Sequence, residues 1–247
     1  KMKQANYKVT EYSNLFLVRD KASFDIFERN PKVSLGTDLF WWSNHCSDDI
    51  KPISYNHKVA LNLRSWDTKW SPKRIVSIIE SKGVKISPWP FYYGSRIHEA
   101  GDNPTDVELL SKLLGKTPSS FSLMPIESSS FSICMRFHGI LLSVRSKRPV
   151  IGFNYHKKTE AFFKENDITE LCVGLNDEQA LSNAISLLQN NFDTYLLKFE
   201  RIRHNLLLQG ESDKTILNKK LELIKPNKTS HFQRLKNLVK KIPGIIQ

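Results

Sequence analysis

The chain has 247 residues, of which 40% are hydrophobic and 25% are charged, a composition typical of a globular protein long enough to bury a core. It contains no apolar run of the roughly 18 residues that a membrane-spanning helix needs, and its first residues, KMKQANYKVTEYSN, lack the apolar centre of a secretion signal, so we expect a cytoplasmic protein. The net charge of +12 suggests an anionic partner, but most of the excess follows Lys214 and no aromatic and basic RNA-binding motif is present, which argues against nucleic acid.

Apolar periodicity predicts strands and helices that alternate along most of the chain. Runs rich in Val, Ile, Leu and Phe indicate buried strands, and amphipathic stretches ended by Gly or Pro indicate helices. In chain order the predicted elements are a strand at 14–20, a helix at 21–30, a strand and loop at 32–42, a strand at 57–66, a helix at 71–83, a strand at 84–93, a helix at 103–116, a strand at 130–135, a helix at 138–147, a strand at 148–155, a helix at 158–167 and a strand at 170–175. This alternation predicts an α/β domain with a largely parallel sheet.

The predicted helices also carry recognisable faces and caps. In the first helix we expect Phe24, Phe27 and Ile26 to face inward. The last helix of this series is predicted to be a single long one from Asn176, which can cap it with Gln179 in the box position. One face of that helix carries the apolar residues Leu181, Ile185, Leu188, Phe192, Leu196 and Phe199.

Charged and polar residues follow three of the predicted strands. Arg64 ends one strand, Arg136 and His138 follow a second, and the cluster from Tyr155 to Lys158 follows a third. Ligands of parallel α/β sheets bind beyond the carboxyl ends of the strands, so these residues are expected to converge on one cleft. Arginine forks and a helix N-terminus near His138 favour a small, multiply charged anion.

Several segments resemble the polysaccharide pyruvyl transferase family. The stretch CMRFHGILLSVRSKRPVIGFNYHKK resembles the family's C-terminal signature, in which a Met-Arg-x-His segment precedes a helix, a Pro-Val-Ile strand and a Tyr-x-x-Lys turn. Upstream, LVRDKASFDIF, GTDLFW and LNLRSW are similar to further family segments and occur in the family's order. The resemblance covers residues 14 to about 175.

The resemblance implies a fold of the two-domain GT-B type, in which two Rossmann-like halves face each other. Residues 1–56 would then be the remnant of an N-terminal Rossmann-like domain, and residues 57–200 the C-terminal, donor-binding Rossmann-like domain. Residues 201–247 would form a basic helical tail.

The resemblance also implies an activity and a set of site residues. Family members transfer the enolpyruvyl group of phosphoenolpyruvate to a sugar of a cell-surface glycan as a ketal and release phosphate. Arg64 and Arg136 match arginines that hold the donor, Phe137 matches the residue between Arg and His, and His138 matches the catalytic histidine. Tyr155 and Lys158 match the donor-site turn by position, with Lys157 as the alternative lysine. Histidine suits proton transfer at neutral pH and arginine suits a departing phosphate.

The basic tail has two interpretations. On a helix over 232–242, apolar residues fall on one side and Arg234, Lys236, Lys240 and Lys241 on the other. This pattern is typical of a helix that lies on an anionic membrane, and equally of one that docks on its own domain. Membrane contact at the inner face would suit an acceptor that is a lipid-linked oligosaccharide.

Alternative functions remain open. A GT-B-like glycosyltransferase with a nucleotide-sugar donor would share the fold, although no acidic ribose-binding residue stands at the expected spacing. An inactive, truncated remnant is the other alternative. Cys46, Cys134 and Cys172 have no paired spacing, so we expect reduced packing residues, no metal site and no cofactor beyond the donor substrate.

Overall fold

The computed structural model describes residue 13 and the ranges 15–19, 21–27, 30–42, 53–66, 71–93, 104–115 and 117–223. The chain divides into two compact units, one formed by residues 48–203 and the other by residues 1–47 together with 204–247. The segments predicted separately as 1–56 and 201–247 thus both contribute to the smaller unit.

The described elements alternate between strands and helices along the chain. In order they are β1 (Phe16–Val18), α1 (Lys21–Ile26), β2 (Val33–Leu35), a 3-10 helix (Leu39–Trp42), β3 (Lys58–Asn62), α2 (Pro72–Ser81), β4 (Lys85–Pro88), α3 (Asp106–Leu114), α4 (Met124–Glu127), β5 (Phe131–Cys134), α5 (Phe137–Arg145), β6 (Val150–Asn154), α6 (Lys157–Glu165), a second 3-10 helix (Thr169–Leu171), β7 (Cys172–Gly174), α7 (Glu178–Asn190) and α8 (Phe192–Leu223). The predicted α/β class with a parallel sheet is confirmed.

The larger unit is built on a five-stranded sheet in the order β4-β3-β5-β6-β7, in which every neighbouring pair is parallel. After β3 the chain adds β4 on one side, and it then crosses over to place β5 on the other side of β3. The connections that leave β3 and β5 therefore diverge. This divergence opens a crevice at their carboxyl ends, which is the usual ligand position in such sheets.

The sheet is apolar on both faces because helices cover it. Helix α5 packs on β5 and β6, α6 packs on β6 and β7, and α2 packs on α7. Near-continuous apolar runs are what a parallel strand covered on both faces requires. The fully buried strand residues include Val59, Leu61, Phe131, Ile133, Val150, Ile151 and Phe153.

Local signals at both ends of helix α3 define where it begins and where it ends. Thr105 caps it by accepting a hydrogen bond from the Glu108 backbone, and the Glu108 side chain accepts one from the Thr105 backbone, which is a complete capping box. Gly115 ends the helix with φ of +85°, a conformation that favours glycine. The helix therefore begins firmly at Asp106.

The prediction of one long helix from Asn176 is wrong. The structure has two helices, and the first is capped by Asp177, whose carboxylate accepts a hydrogen bond from the Ala180 backbone at 2.8 Å. The break falls at Asn191, whose side-chain amide donates to the carbonyl of Leu187. An asparagine that bonds local backbone in this way competes with helix continuation.

The smaller unit contains the parallel pair β1 and β2. One hydrophobic cluster of this unit consists of Val18, Phe27 and Val33, with Phe24 packed against them. The expectation that Ile26 faces inward is wrong, because its side chain is 46% exposed. The predicted helix at 232–242 lies outside the described residues. In the part of the chain that the structure describes, no helix has both the length and the apolarity needed to cross a membrane.

Replacement of Gly152 by alanine is expected to destabilise the larger unit. A Cβ atom at this position of β6 would lie against the Phe163 ring, 2.6 Å from Cζ, and Phe163 is fully buried. Such overpacking costs about 1–3 kcal/mol. The free energy of unfolding from denaturant titration measures it. Gly174→Ala on the adjacent strand is the control, because its Cβ would make an ordinary 3.5 Å contact with Asp177; equal effects of the two variants would contradict the packing argument.

Candidate anion-binding site

A cavity of about 270 Å³ lies in the larger unit beyond the carboxyl ends of β3 and β5. Its lining residues are Arg64, Ser65, Tyr92, Pro104, Asp106 and Arg136. The cavity thus occupies the crevice that the strand order creates, and it contains both arginines that the sequence indicated.

The register of the sheet places the two arginines at equivalent positions. Asn62, the last residue of β3, is the partner of Cys134, the last residue of β5. Arg64 and Arg136 each follow two residues later, so they leave neighbouring strands at the same level. Parallel pairing is the reason that residues far apart in sequence meet here.

Asn62 ties the two strand ends together. Its side chain is fully buried; Oδ1 accepts a hydrogen bond from the Arg136 backbone at 2.9 Å, and Nδ2 donates to the carbonyl of Trp89 at 2.9 Å. A buried amide with both ends paired holds its partners in fixed positions. The backbone of Arg136 is therefore locked to β3 and to the loop that follows β4.

The Arg136 guanidinium forms a two-point ion pair with Asp106. Nε donates to Oδ2 and Nη2 donates to Oδ1, both at 2.6 Å, a geometry that is stronger and more directional than a single contact. The Asp106 side chain is 1% exposed and that of Arg136 is 26% exposed. Asp106 also accepts hydrogen bonds from the backbone N–H groups of Phe91 and Tyr92.

Arg64 is held differently, by aromatic rings. Its guanidinium carbon lies 5.1 Å from the centroid of the Trp66 ring and 6.0 Å from that of Tyr155, and the two rings meet edge to face at 4.8 Å. Its Nε is buried and has no hydrogen-bond partner among the described residues. Within the described ranges, no carboxylate forms an ion pair with Arg64.

The remaining predicted site residues lie around the first turns of α5 and α6 and do not line the cavity. Phe137 is the first residue of α5, and the Lys158 ammonium lies 5.3 Å from the centroid of its ring. His138 is exposed on the same turn of α5. It makes a ring contact with Phe137, and no hydrogen bond joins it to another described residue. Tyr155 is connected to the site by the contact of its ring with the Arg64 guanidinium.

The sequence did not single out the acidic partner of the site. Asp106 falls in the first turn of the helix predicted at 103–116, and in the structure the Thr105 and Glu108 capping box makes it the first helical residue. An acidic residue at the start of a helix usually only interacts with the helix dipole, so by itself it does not indicate a binding site. Asn62, inside a predicted strand, gave no signal beyond being polar in an apolar run.

The cavity has a net positive character and a small size. Among the described lining side chains, two guanidinium groups face one carboxylate, which leaves an excess of one positive charge. Typical small-molecule pockets have volumes of about 300–1,000 Å³, so this one suits a compact anion.

Other reactive groups among the described residues are weaker candidates for a functional site than the two arginines. Burial raises the pKa of the Cys134 thiol to about 12, which keeps it protonated and unreactive. Within the described ranges, no three His, Cys, Asp or Glu side chains lie close enough together to hold a metal ion.

Comparison of this chain with family models, with curated proteins and with solved structures found no match.

Proposed function

We propose that the chain is a pyruvyl transferase of the polysaccharide type, which moves the enolpyruvyl group of phosphoenolpyruvate to a sugar as a ketal and releases phosphate. The observation that carries the proposal is that Arg64 and Arg136, from adjacent strand ends, line one small cavity. Phosphoenolpyruvate carries a carboxylate and a phosphate, and a guanidinium fork suits each of them.

The small cavity also favours this donor over the alternative one. A volume of about 270 Å³ suits a three-carbon phosphate ester better than a nucleotide sugar, which must also seat a base and a ribose. The GT-B-like glycosyltransferase is therefore the weaker candidate. In the proposed GT-B-like arrangement the larger unit is the donor-binding half.

The reaction needs proton transfer to the donor and from the sugar hydroxyls, and we assign it to His138. The methylene carbon of the donor takes up a proton, and one sugar hydroxyl forms a C–O bond to the adjacent carbon and loses its proton. The C–O bond between that carbon and the phosphate breaks, and the phosphate leaves with a proton. A second hydroxyl of the sugar then forms the other C–O bond and loses its proton. His138 lies two residues beyond Arg136 on the first turn of α5, and histidine is the side chain best suited to such proton work at neutral pH. Tyr155 supports the donor site because its ring lies beside the Arg64 guanidinium. Lys158 supports it through its contact with the ring of Phe137, on the first turn of α5.

The acceptor in this proposal is a sugar of a cell-surface glycan, either free or as a lipid-linked oligosaccharide. The protein would act in the cytoplasm, and the basic segment 232–242 would bring it to anionic lipid at the inner face of the membrane.

Calorimetric titration with phosphoenolpyruvate tests the donor assignment. We expect saturable binding by the folded wild-type chain and binding at least about tenfold weaker by Arg136→Ala, with a UDP-sugar and pyruvate as comparison ligands. Arg74→Ala is the matched control, because Arg74 is an exposed arginine of α2 paired with Glu178 outside the cavity. Tight binding of the UDP-sugar without binding of phosphoenolpyruvate would contradict the proposal and favour a glycosyltransferase.

A further inference from the structure

We propose that Asp106 is a positioning residue of the anion site, which fixes the orientation of the Arg136 guanidinium toward the ligand. The inference rests on the proposed function only in naming phosphoenolpyruvate as the ligand. The arrangement of Asp106 and Arg136 would serve any small anion with a phosphate or carboxylate group.

The ion pair uses one edge of the guanidinium and leaves the rest of it toward the cavity. Arginine carries five N–H donors in a rigid plane. Asp106 accepts from Nε and from one N–H of Nη2, and no other described residue accepts from the Arg136 guanidinium. The side chain is about one quarter exposed and lines the cavity, so its remaining N–H groups are available to a bound anion.

Asp106 is itself fixed from several directions. Backbone N–H groups of Phe91 and Tyr92 donate to Oδ2 at 3.1 and 3.2 Å, and the residue opens a helix whose start is set by the Thr105 capping box. A carboxylate that is 1% exposed and held by backbone groups has little freedom to follow a moving partner. Arg136 must therefore align with Asp106, and not the reverse.

The two arginines of the cavity consequently contribute different things. Arg64, stacked near Trp66 and Tyr155, keeps a charge that no described carboxylate offsets. The charge of Arg136 is largely balanced by Asp106, so Arg136 contributes mainly directed N–H groups. Preorganised donors bind an anion better than mobile ones, because the ordering cost is already met in the free protein.

A purely structural salt bridge is the alternative to this role. Buried ion pairs are not in themselves evidence of function, since many only satisfy groups that folding has buried. The distinguishing property is coupling: if Asp106 acts on the ligand through Arg136, its replacement has no further effect on ligand affinity once Arg136 is removed.

Asp106→Asn is the informative variant because it is nearly isosteric. Its carbonyl oxygen can still accept from the Phe91 and Tyr92 backbones and from Nε of Arg136, which keeps the loop in place. Its NH₂ group then faces Nη2 of Arg136, and two donors cannot bond to each other. The loop is retained while the orientation of the guanidinium is lost.

The experiment is a double-mutant cycle of Asp106→Asn and Arg136→Gln, read by calorimetric affinity for phosphoenolpyruvate and for inorganic phosphate. We expect each single variant to weaken binding about tenfold, which corresponds to about 1.4 kcal/mol, and the double variant to be no weaker than Arg136→Gln alone. Glu178→Gln is the matched control, since Glu178 also opens a helix and pairs with an arginine, Arg74, outside the cavity. It should bind like the wild type, and thermal unfolding of every variant verifies the fold.

Each other outcome identifies what has failed. The positioning role would be overturned if the affinity loss of the double variant equalled the product of the losses of the two single variants. Tighter binding of phosphate by Asp106→Asn would also overturn it, and both results would leave the donor assignment intact. If the wild-type chain binds phosphate but not phosphoenolpyruvate, the donor assignment is overturned. The same cycle, measured with phosphate as the ligand, would still decide the role of Asp106. Failure of the folded wild type to bind either anion would overturn both.

Discussion

His138→Ala is expected to lower turnover by about 10²–10⁴-fold while leaving donor affinity nearly unchanged. General acid and base catalysis typically contributes a factor of this size. His138 does not line the cavity that holds the two arginines, so its removal should leave the ground-state complex with the donor nearly as stable. The measurement is release of inorganic phosphate from phosphoenolpyruvate in the presence of a sugar acceptor, together with calorimetric affinity for the donor.

A histidine elsewhere on the surface provides the comparison for this experiment. His204→Ala removes another exposed helical histidine, one that lies in α8 and belongs to the smaller unit. It should retain full turnover. Wild-type turnover in His138→Ala would exclude the catalytic assignment. Loss of donor affinity equal to the loss of turnover would instead indicate that His138 contributes to binding.

Arg64→Gln is expected to weaken binding of phosphoenolpyruvate roughly 10- to 100-fold. Hydrogen bonds to charged groups contribute about 1.5–3 kcal/mol, and each 1.4 kcal/mol corresponds to a factor of ten in affinity. The effect should exceed that of most surface arginines, because no described carboxylate offsets the charge of Arg64 and no described residue forms a hydrogen bond with its buried Nε. Wild-type affinity should also fall as salt is added, since the excess charge of the cavity is screened.

Two further variants separate the charge of Arg64 from its shape. Arg64→Lys keeps the charge but loses the planar fork and much of the stacking near Trp66 and Tyr155, so we expect an affinity between those of the wild type and Arg64→Gln. Arg74→Gln, at an exposed arginine outside the cavity, should have no effect. Equal affinity of Arg64→Gln and the wild type would show that the ligand does not contact this residue.

Trp66 has a packing role that the sequence does not specify. A tryptophan two residues after Arg64 is a candidate for stacking on a sugar, and that prediction stays open. In the structure its ring lies near the Arg64 guanidinium on one side and meets the Tyr155 ring at its edge. The ring contributes to holding Arg64, and a cation beside an aromatic face is a favourable arrangement in its own right.

The sequence by itself determined most of the strands and helices and led to the hypothesis of an anion site. Buried strands covered on both faces are read from nearly unbroken apolar runs such as Val59 to Leu63, and helix ends are read from Gly83, Gly115 and similar local signals. Because each of these signals acts over a few residues, the pattern contains them in full. The positions of Arg64 and Arg136 directly after two strands were equally visible, and with them the expectation of an anion.

Only the tertiary structure decided which strands are neighbours and which charges meet. The order β4-β3-β5 puts Arg64 beside Arg136, which lies 72 positions further along the chain, and it brings Asp106 from a third connection to the same crevice. Such pairings depend on the crossover of the chain and on parallel register, and no local propensity specifies either. For the same reason the difference between Arg136, which is paired with Asp106, and Arg64, which forms no ion pair with a described carboxylate, is a property of the fold.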